Sequence, residues 1–215
     1  QGLAILLRTR NHTLLYDAGP RFGEFDIGQR VVVPAMRKSG VRRLDLMLIS
    51  HADADHAGGA AAARLCENNE RWEWDGVVFS TWRWEQAPDG NAGSCMLSVD
   101  AGGERLLLTG DIDVHAERAA MDSGFDLRAR WLQAPHHGSR SSSSKVFLQA
   151  VAPVGVLISR GQNNAFGHPH PLVMSRYRWL GITHHDSAEL GAISLQLGAF
   201  GQPRAERAQR RFWRD

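Results

Sequence analysis

Apolar positions along the chain fall into short runs broken by glycine, proline, asparagine and aspartate, a rhythm that predicts strands and turns more often than long helices. LAILLRT (3–9) and HTLLYDAG (12–19) read as a strand pair in hairpin relation, the second ending in an Asp17-Ala18-Gly19-Pro20 turn. RVVVPAMRKSG (30–40) predicts a short helix, limited at its start by Pro34 and closed by Gly40. LDLMLIS (44–50) is apolar almost throughout, as expected of a strand covered on both faces. After it, the alanine-rich AGGAAAARLCENN (57–69) predicts a helix ending at Asn68 and Asn69.

Residues 71–113 alternate strand-like stretches with Gly, Asn and Pro turns and read as an antiparallel meander. Trp72 and Trp74 lie two apart, as do Trp82 and Trp84, so each pair shares one face of a strand, and core packing accounts for them better than base stacking. From Val114 onward the pattern becomes helix (114–122), strand (129–134), loop (135–141), helix (143–151), strand (154–159), loop (160–170), helix (171–180) and a last strand at 191–200. Strand clusters in each half, each followed by helices, predict an α/β architecture of two packed sheets with helices outside.

With 215 residues and 43% hydrophobic content the chain has material for one large core, which predicts a single domain over 1–200 followed by a basic tail at 201–215. In that tail Arg204, Arg207, Arg210, Arg211 and Arg214 suit either a solvated helix or a nucleic-acid contact. No apolar run is long enough to span a bilayer, and no signal segment opens the chain. The first residue, Gln1, stands directly before a strand pattern, as expected of a piece of a longer polypeptide. A net charge of +2 permits a polyanionic partner without requiring one. Cys66 and Cys95 share no pair motif, so two buried thiols and one disulfide are both open.

The candidate chemistry gathers after strands: Asp17; His51, Asp53, Asp55 and His56; Asp111; His136 and His137; His168 and His170. Loops beyond strand ends are where a rigid sheet holds functional groups while its core stays apolar. Singly, each has a structural reading, Asp17 and Asp111 as turn caps and the histidines as surface or loop residues. HADADH (51–56) does not, because four titratable groups in six residues repel or pay a large desolvation cost unless a cation gathers them. Alternate residues of such a turn face one way, so His51 and Asp53 suit one ion, and Asp55 and His56 a second. Asp111, in LLLTGD, is the natural bridge between the two.

HADADHAGG, YDAG and LLTGD together resemble the metallo-β-lactamase superfamily. Asp53 at the second ligand position, with APHHGSRSSSSKVFLQAVAP and ISRGQNNAFGHPHP, is more narrowly similar to the hydrolase domain of the ComEC family of DNA-uptake channels, over nearly the whole chain. The resemblance implies a four-layered αβ/βα sandwich with a dinuclear centre at one sheet edge, Asp17 supporting it from behind. It also implies a membrane-channel portion elsewhere in the polypeptide, DNA as substrate, other uptake proteins as partners, and a place on the outer, periplasmic side of the inner membrane. Many superfamily members carry a ligand histidine between the Asp-His pair and the bridging aspartate, and none occurs here from Ala57 to Ile112. His137 is therefore expected to take that place beside His51, Asp53 and Asp111, with His136 left to support or proton transfer. Asp55, His56, Asp111 and either His168 or His170 would complete the second ion's set.

Three carboxylates and one hydroxide supply about four negative charges against two divalent cations, leaving a centre a phosphodiester can approach. The hard Asp53 ligand makes manganese the expected metal, with zinc or magnesium as alternatives. Ser139, Arg140, Ser141, Ser142, Ser143 and Lys145 precede or open a helix and suit either a phosphate site or an ordinary serine cap. Asn163 and Asn164 suit a further phosphate contact or a turn. The expected activity is metal-dependent phosphodiester hydrolysis, a DNA exonuclease acting during natural transformation on the strand that does not enter the cell, with Asp55, Asp111 and His136 as its catalytic groups. Two alternatives are a small-molecule phosphoesterase or lactone or lactam hydrolase on the same fold, and a non-catalytic DNA-guiding module.

Overall fold

The computed structural model describes residues 2–22, 25–58, 63–88 and 90–206. β1 (Ile5–Arg8) and β2 (Thr13–Tyr16) form the expected hairpin, with Leu6 opposite Leu15 and Leu7 opposite Leu14. A second, minimal hairpin of β3 (Arg21–Phe22) and β4 (Phe25–Asp26) leads into a π-helical turn at Gly28–Val32, which runs on as α1 (Val33–Lys38). Pro34 is the second residue of α1, at the change from the π-helical turn, and the helical run extends upstream of it. β5 (Leu46–Ile49), α2 (Ala54–Ala57) and β6 (Arg64–Leu65) follow, and the strands order as β1-β2-β5-β6 in one sheet.

β7 (Arg71–Trp74), β8 (Val77–Trp82), β9 (Met96–Ala101) and β10 (Glu104–Leu108) make the expected antiparallel meander. The chain then alternates α3 (Val114–Asp122), β11 (Trp131–Gln133), α4 (Lys145–Val151), β12 (Gly155–Ile158), α5 (Pro171–Trp179) and β13 (Thr183–Asp186), with β10 to β13 parallel. A short α6 (Ser187–Leu190) and the pair β14 (Ile193–Ser194) and β15 (Arg204–Ala205) close the described chain. The second sheet runs β13-β12-β11-β10-β9-β8-β7.

The two sheets pack face to face through Leu14, Tyr16 and Leu48 on one side and Phe79, Leu97, Val99, Leu106, Leu108 and Trp131 on the other. Leu107 and Leu132 point the opposite way, into a layer built with Ala116, Phe147, Leu148, Val173 and Tyr177 from α3, α4 and α5. Leu15 and Ile49 cover the outer face of the first sheet with Val32 and Met36. This is the four-layered αβ/βα sandwich, and it explains why the strands leading to the polar loops are apolar in succession: both faces are covered. Each fully buried Leu or Phe contributes about 1.5–3 kcal/mol to that packing. Trp72 stacks on Phe79 at 5.1 Å between ring centres, and Trp82 is buried in the helix-side core, so the tryptophans are packing residues.

Two secondary-structure expectations are corrected. The helix expected over 57–69 is not formed as such: α2 ends at Ala57, and after residues outside the described set the chain is extended as β6, paired in parallel with β5. The last strand of the large sheet is β13, not 191–200, of which only Ile193–Ser194 is a strand. Thr183-His184-His185-Asp186 lacks an apolar run because it is an edge strand, its Asp186 bound by the Arg160 Nε at 2.6 Å. Within the expected tail, Arg204–Ala205 pairs with Ile193–Ser194. Arg207, Arg210, Arg211 and Arg214 of the expected basic tail lie outside the described residues.

Candidate metal centre

The polar loops converge beyond the ends of β2, β5, β10, β11 and β12. The close approach depends on two glycines. At Gly110 (φ 54°) a Cβ would stand 2.8 Å from the Ser50 Cβ and 3.0 Å from the Ser94 Cβ, so only glycine lets the β10 turn bring Asp111 against the HADADH loop. At Gly138 (φ 83°) a Cβ would stand 2.7 Å from the Pro169 Cβ, which is how the PHHG turn packs onto the GHPH loop. His136 and His137 also take positive φ, 49° and 54°, and that strained turn aims both rings toward Asp111.

At the centre, Asp55, His56, Asp111 and His137 each offer one ligand atom within 4.8 Å of all the others. Behind them stands Asp17, fully buried, whose Oδ1 accepts from the Ser50 amide at 2.7 Å and whose Oδ2 accepts from the Ser50 hydroxyl at 2.8 Å and from His56 Nδ1 at 2.7 Å. His137 Nδ1 donates to the Ser159 carbonyl at 2.7 Å. His51 Nδ1 faces Ser50 Oγ at 3.0 Å and Ser94 Oγ at 3.2 Å. In each case the back of the ring is held and the front faces the carboxylates: Nε2 of His51, His56 and His137 is buried, His56 Nε2 standing 3.2 Å from Asp111 Oδ1 and His137 Nε2 3.5 Å from Asp111 Oδ2. Buried imidazole nitrogens crowded against carboxylates are the arrangement metal-ligating histidines adopt, the far nitrogen fixing tautomer and direction. The residues present therefore fit divalent metal ions.

Without a cation the charges rearrange. Burial disfavours the His56 imidazolium, but hydrogen bonding to Asp111 and Asp17 outweighs it and pushes this histidine up to about 10. Burial likewise opposes the Asp111 charge, and the contact with His56 together with the fields of His137, His56 and His136 holds its carboxyl well below the usual range. Asp55 is lowered too, burial being outweighed by His137 and His56. His51 is lowered by burial and by the neighbouring His56.

The structure departs from the expected grouping at His137. Its Nε2 lies 3.6 Å from Asp55 Oδ2 and 3.5 Å from Asp111 Oδ2, so it joins the Asp55 and His56 set rather than His51 and Asp53. His51 and Asp53 form a neighbouring pair, Nε2 to Oδ2 3.6 Å, with the His51 ring 4.2 Å from that of His56 and Asp53 56% exposed. His136 Nε2 is 3.7 Å from Asp111 Oδ2, and its ring is 5.8 Å from that of His168. His170 is occupied elsewhere: its Nδ1 accepts from the Leu172 amide and caps α5. Of the two candidates in GHPH, His168 is the one turned toward the centre.

The serine loop is largely internal. The Ser143 and Ser144 amides both donate to the Glu117 carboxylate, the Ser143 hydroxyl meets Tyr177 OH at 2.9 Å, and Ser142 Oγ donates to the Pro135 carbonyl at 2.9 Å. Ser142 and Ser143 thus brace the loop, Ser144 caps α4 through the Phe147 amide, and the Glu117 carboxylate occupies the Ser143 and Ser144 amides. Ser139 is buried against Ser141 Oγ at 3.0 Å, Lys145 lies 4.0 Å over the Trp179 ring, and Asn164 clamps its own loop through Gly161 and His168. Arg140, Ser141 and Asn163 stay exposed. Ser50, Ser94, Ser159 and Glu117 are not among the residues expected at the site; Ser50 adjoins His51, and Ser159 lies within ISRGQNNAFGHPHP.

The model of the metallo-beta-lactamase superfamily matches residues 1–64 and 67–181. The chain is 39% identical over 223 residues to "Competence protein ComA" of Neisseria gonorrhoeae, an alignment covering 94% of this chain and 32% of that protein. It is 29% identical to "Recombination protein 2" of Haemophilus influenzae, covering 98% of this chain and 29% of that one. It therefore spans about a third of the length of these relatives. Among solved structures, the metallo-beta-lactamase fold protein YhfI from Bacillus subtilis superposes with a TM-score of 0.56 at 10% identity, over 86% of this chain and 88% of that one, a likeness of fold alone.

Proposed function

This chain belongs to the metallo-beta-lactamase superfamily, and from that premise we propose that it is the metal-dependent nuclease part of a DNA-uptake protein, hydrolysing phosphodiesters of DNA during natural transformation. The observation that carries the reading is the set of three buried Nε2 atoms on His51, His56 and His137 turned toward acidic side chains, with Asp55, His56, Asp111 and His137 offering ligand atoms within 4.8 Å of one another. Two divalent ions bound there would lower the pKa of water and polarise phosphoryl oxygens as Lewis acids. Asp55, His56, Asp111 and His137 would hold one ion, His51 and Asp53 would contribute to the other beside Asp111, and manganese suits this oxygen-rich set, with zinc or magnesium as alternatives. His136, whose Nε2 is 3.7 Å from Asp111 Oδ2, would pass a proton to the departing alkoxide, and His168 would support it.

Support for DNA as substrate comes from the relatives named for competence and recombination. Among the described residues no helix is long and apolar enough to cross a membrane. A channel portion elsewhere in the polypeptide would supply the membrane part, and other uptake proteins would be its neighbours. The Cys66–Cys95 disulfide favours an oxidising, extracytoplasmic placement of this domain on the inner membrane.

End-labelled linear and circular DNA, offered to chelator-stripped protein with manganese, magnesium or zinc restored, tests the proposal. Linear DNA should be degraded with metal present, and Asp55→Ala and Asp111→Ala should lose that activity while keeping the fold. Cleavage of lactones or small phosphodiesters with no action on DNA would transfer the site to a small-molecule hydrolase. Salt-sensitive DNA binding with no cleavage under any metal would make it a guiding module.

A further inference from the structure

We propose that Phe166 is a stacking platform for a nucleobase flanking the scissile phosphate, an inference that rests on the nuclease reading and extends it to how the strand is held. Two ring contacts lead outward from the centre: His136 to His168 at 5.8 Å, then His168 to Phe166 at 6.0 Å with the planes only 22° apart. Phe166 is 70% exposed, the most exposed large apolar side chain among the described residues, and its ring lies nearly parallel to that of His168, which in turn meets His136, the histidine 3.7 Å from Asp111.

A single exposed apolar residue is ordinary on a protein surface. Here the loop beneath it is fixed. The Asn164 side chain donates to the Gly161 carbonyl at 3.3 Å and to the His168 carbonyl at 2.7 Å, and accepts from the His168 amide at 3.0 Å. Next along, Pro169 packs on Gly138 and the His170 amide donates to the Gly138 carbonyl at 2.9 Å, tying this loop to the turn that carries His136 and His137. The ring is thus presented at a set position relative to the metal centre, the condition for a contact that positions a substrate. Every base offers a π face, so stacking holds a strand without reading its sequence, and it needs bases free of a duplex stack. Phe166 therefore favours single-stranded DNA or a frayed end, and its contribution is to binding rather than to bond breaking.

The test compares the parent chain with Phe166→Ala and Phe166→Trp on a single-stranded oligonucleotide and on the same strand with abasic residues around the cleavage position. Phe166→Ala should raise KM for the base-containing strand about tenfold with kcat nearly unchanged, leave the abasic strand unaffected, and be rescued by Phe166→Trp. Fluorescence anisotropy of labelled strands with metal-free protein should show the same ordering of Kd. Parent cleavage with Phe166→Ala equal on the intact strand, or a loss equal on intact and abasic strands, overturns the platform and leaves the nuclease reading standing. Failure of the parent chain both to bind and to cut DNA overturns the two together.

Discussion

His56 Nδ1 lies 2.7 Å from Asp17 Oδ2, with both side chains sealed from solvent, so the carboxylate behind the ring decides which nitrogen faces the centre. Asp17 occupies a left-handed conformation, φ 58°, that asparagine also tolerates. Asp17→Asn should therefore fold, yet lose the acceptor that fixes the His56 tautomer. Metal affinity is expected to fall about 10- to 100-fold. Titration calorimetry with manganese checks this, and an affinity equal to the parent's would show that Asp17 is not the orienting group.

In the metal-free protein His56 is pushed up to about 10 from its ordinary 6.5, so it carries a proton at neutral pH. The stability this contributes is fully present below about 6.5 and is lost as pH rises through about 10. Metal binding at Nε2 must expel that proton, so affinity should rise with pH. Calorimetry of metal binding at pH 8 in buffers of different ionisation enthalpy should show about one proton released per chain from this histidine. No buffer dependence would mean that His56 is already neutral.

What could be read in the sequence was the chemistry that lies next to a strand end. HADADH and LLTGD betray themselves because charge follows directly on buried apolar runs, and the apolar runs in turn place both sheets. The partition of the ligands was less legible. Which of His136 and His137 meets Asp55 depends on two successive positive-φ residues, a backbone choice that histidine side chains do not announce. Between a phosphate site and a helix cap the serine run does not choose by itself: Ser144 caps α4, while the amides of Ser143 and Ser144 are taken by Glu117, 26 residues earlier than Ser143, and no local pattern reports so distant a carboxylate. β13 escaped because a polar edge strand carries no alternation to detect.

Glu117 gives a pH prediction of its own. Burial pushes its carboxyl from 4.5 up to about 7, against the opposing hydrogen bonds from Ser144 and Ser143 and the field of Arg176. The folded state thus favours the protonated form, a contribution present below about 4.5 and lost as pH rises through about 7. Glu117→Gln should flatten this dependence. The unfolding free energy of the parent minus that of the variant, from urea titrations at pH 4.5 to 8, should fall by on the order of 3 kcal/mol across the range. A constant difference would show that the carboxylate is charged throughout and that its amide donors dominate.

Cys66 and Cys95 form a disulfide with Cα atoms 5.9 Å apart, closing a separation of 29 residues between the end of β6 in one sheet and the start of β9 in the other. The bridge also reaches the centre, because the Cys95 amide donates to the Ser50 carbonyl at 2.8 Å and the adjacent Ser94 Oγ accepts from the Asp111 amide at 3.1 Å. Removing it frees the unfolded chain and loosens the segment that sets Ser50 and Ser94 behind His51. A Cys66→Ala, Cys95→Ala variant should lose about 2–4 kcal/mol of stability, seen as a lower urea midpoint. Its metal affinity should fall as well, while a variant of comparable stability cost altered in the helix-side core, such as Leu148→Ala in α4 (about 2–5 kcal/mol), should keep it. Equal loss of affinity in both would assign the effect to global stability and not to the bridge beside the centre.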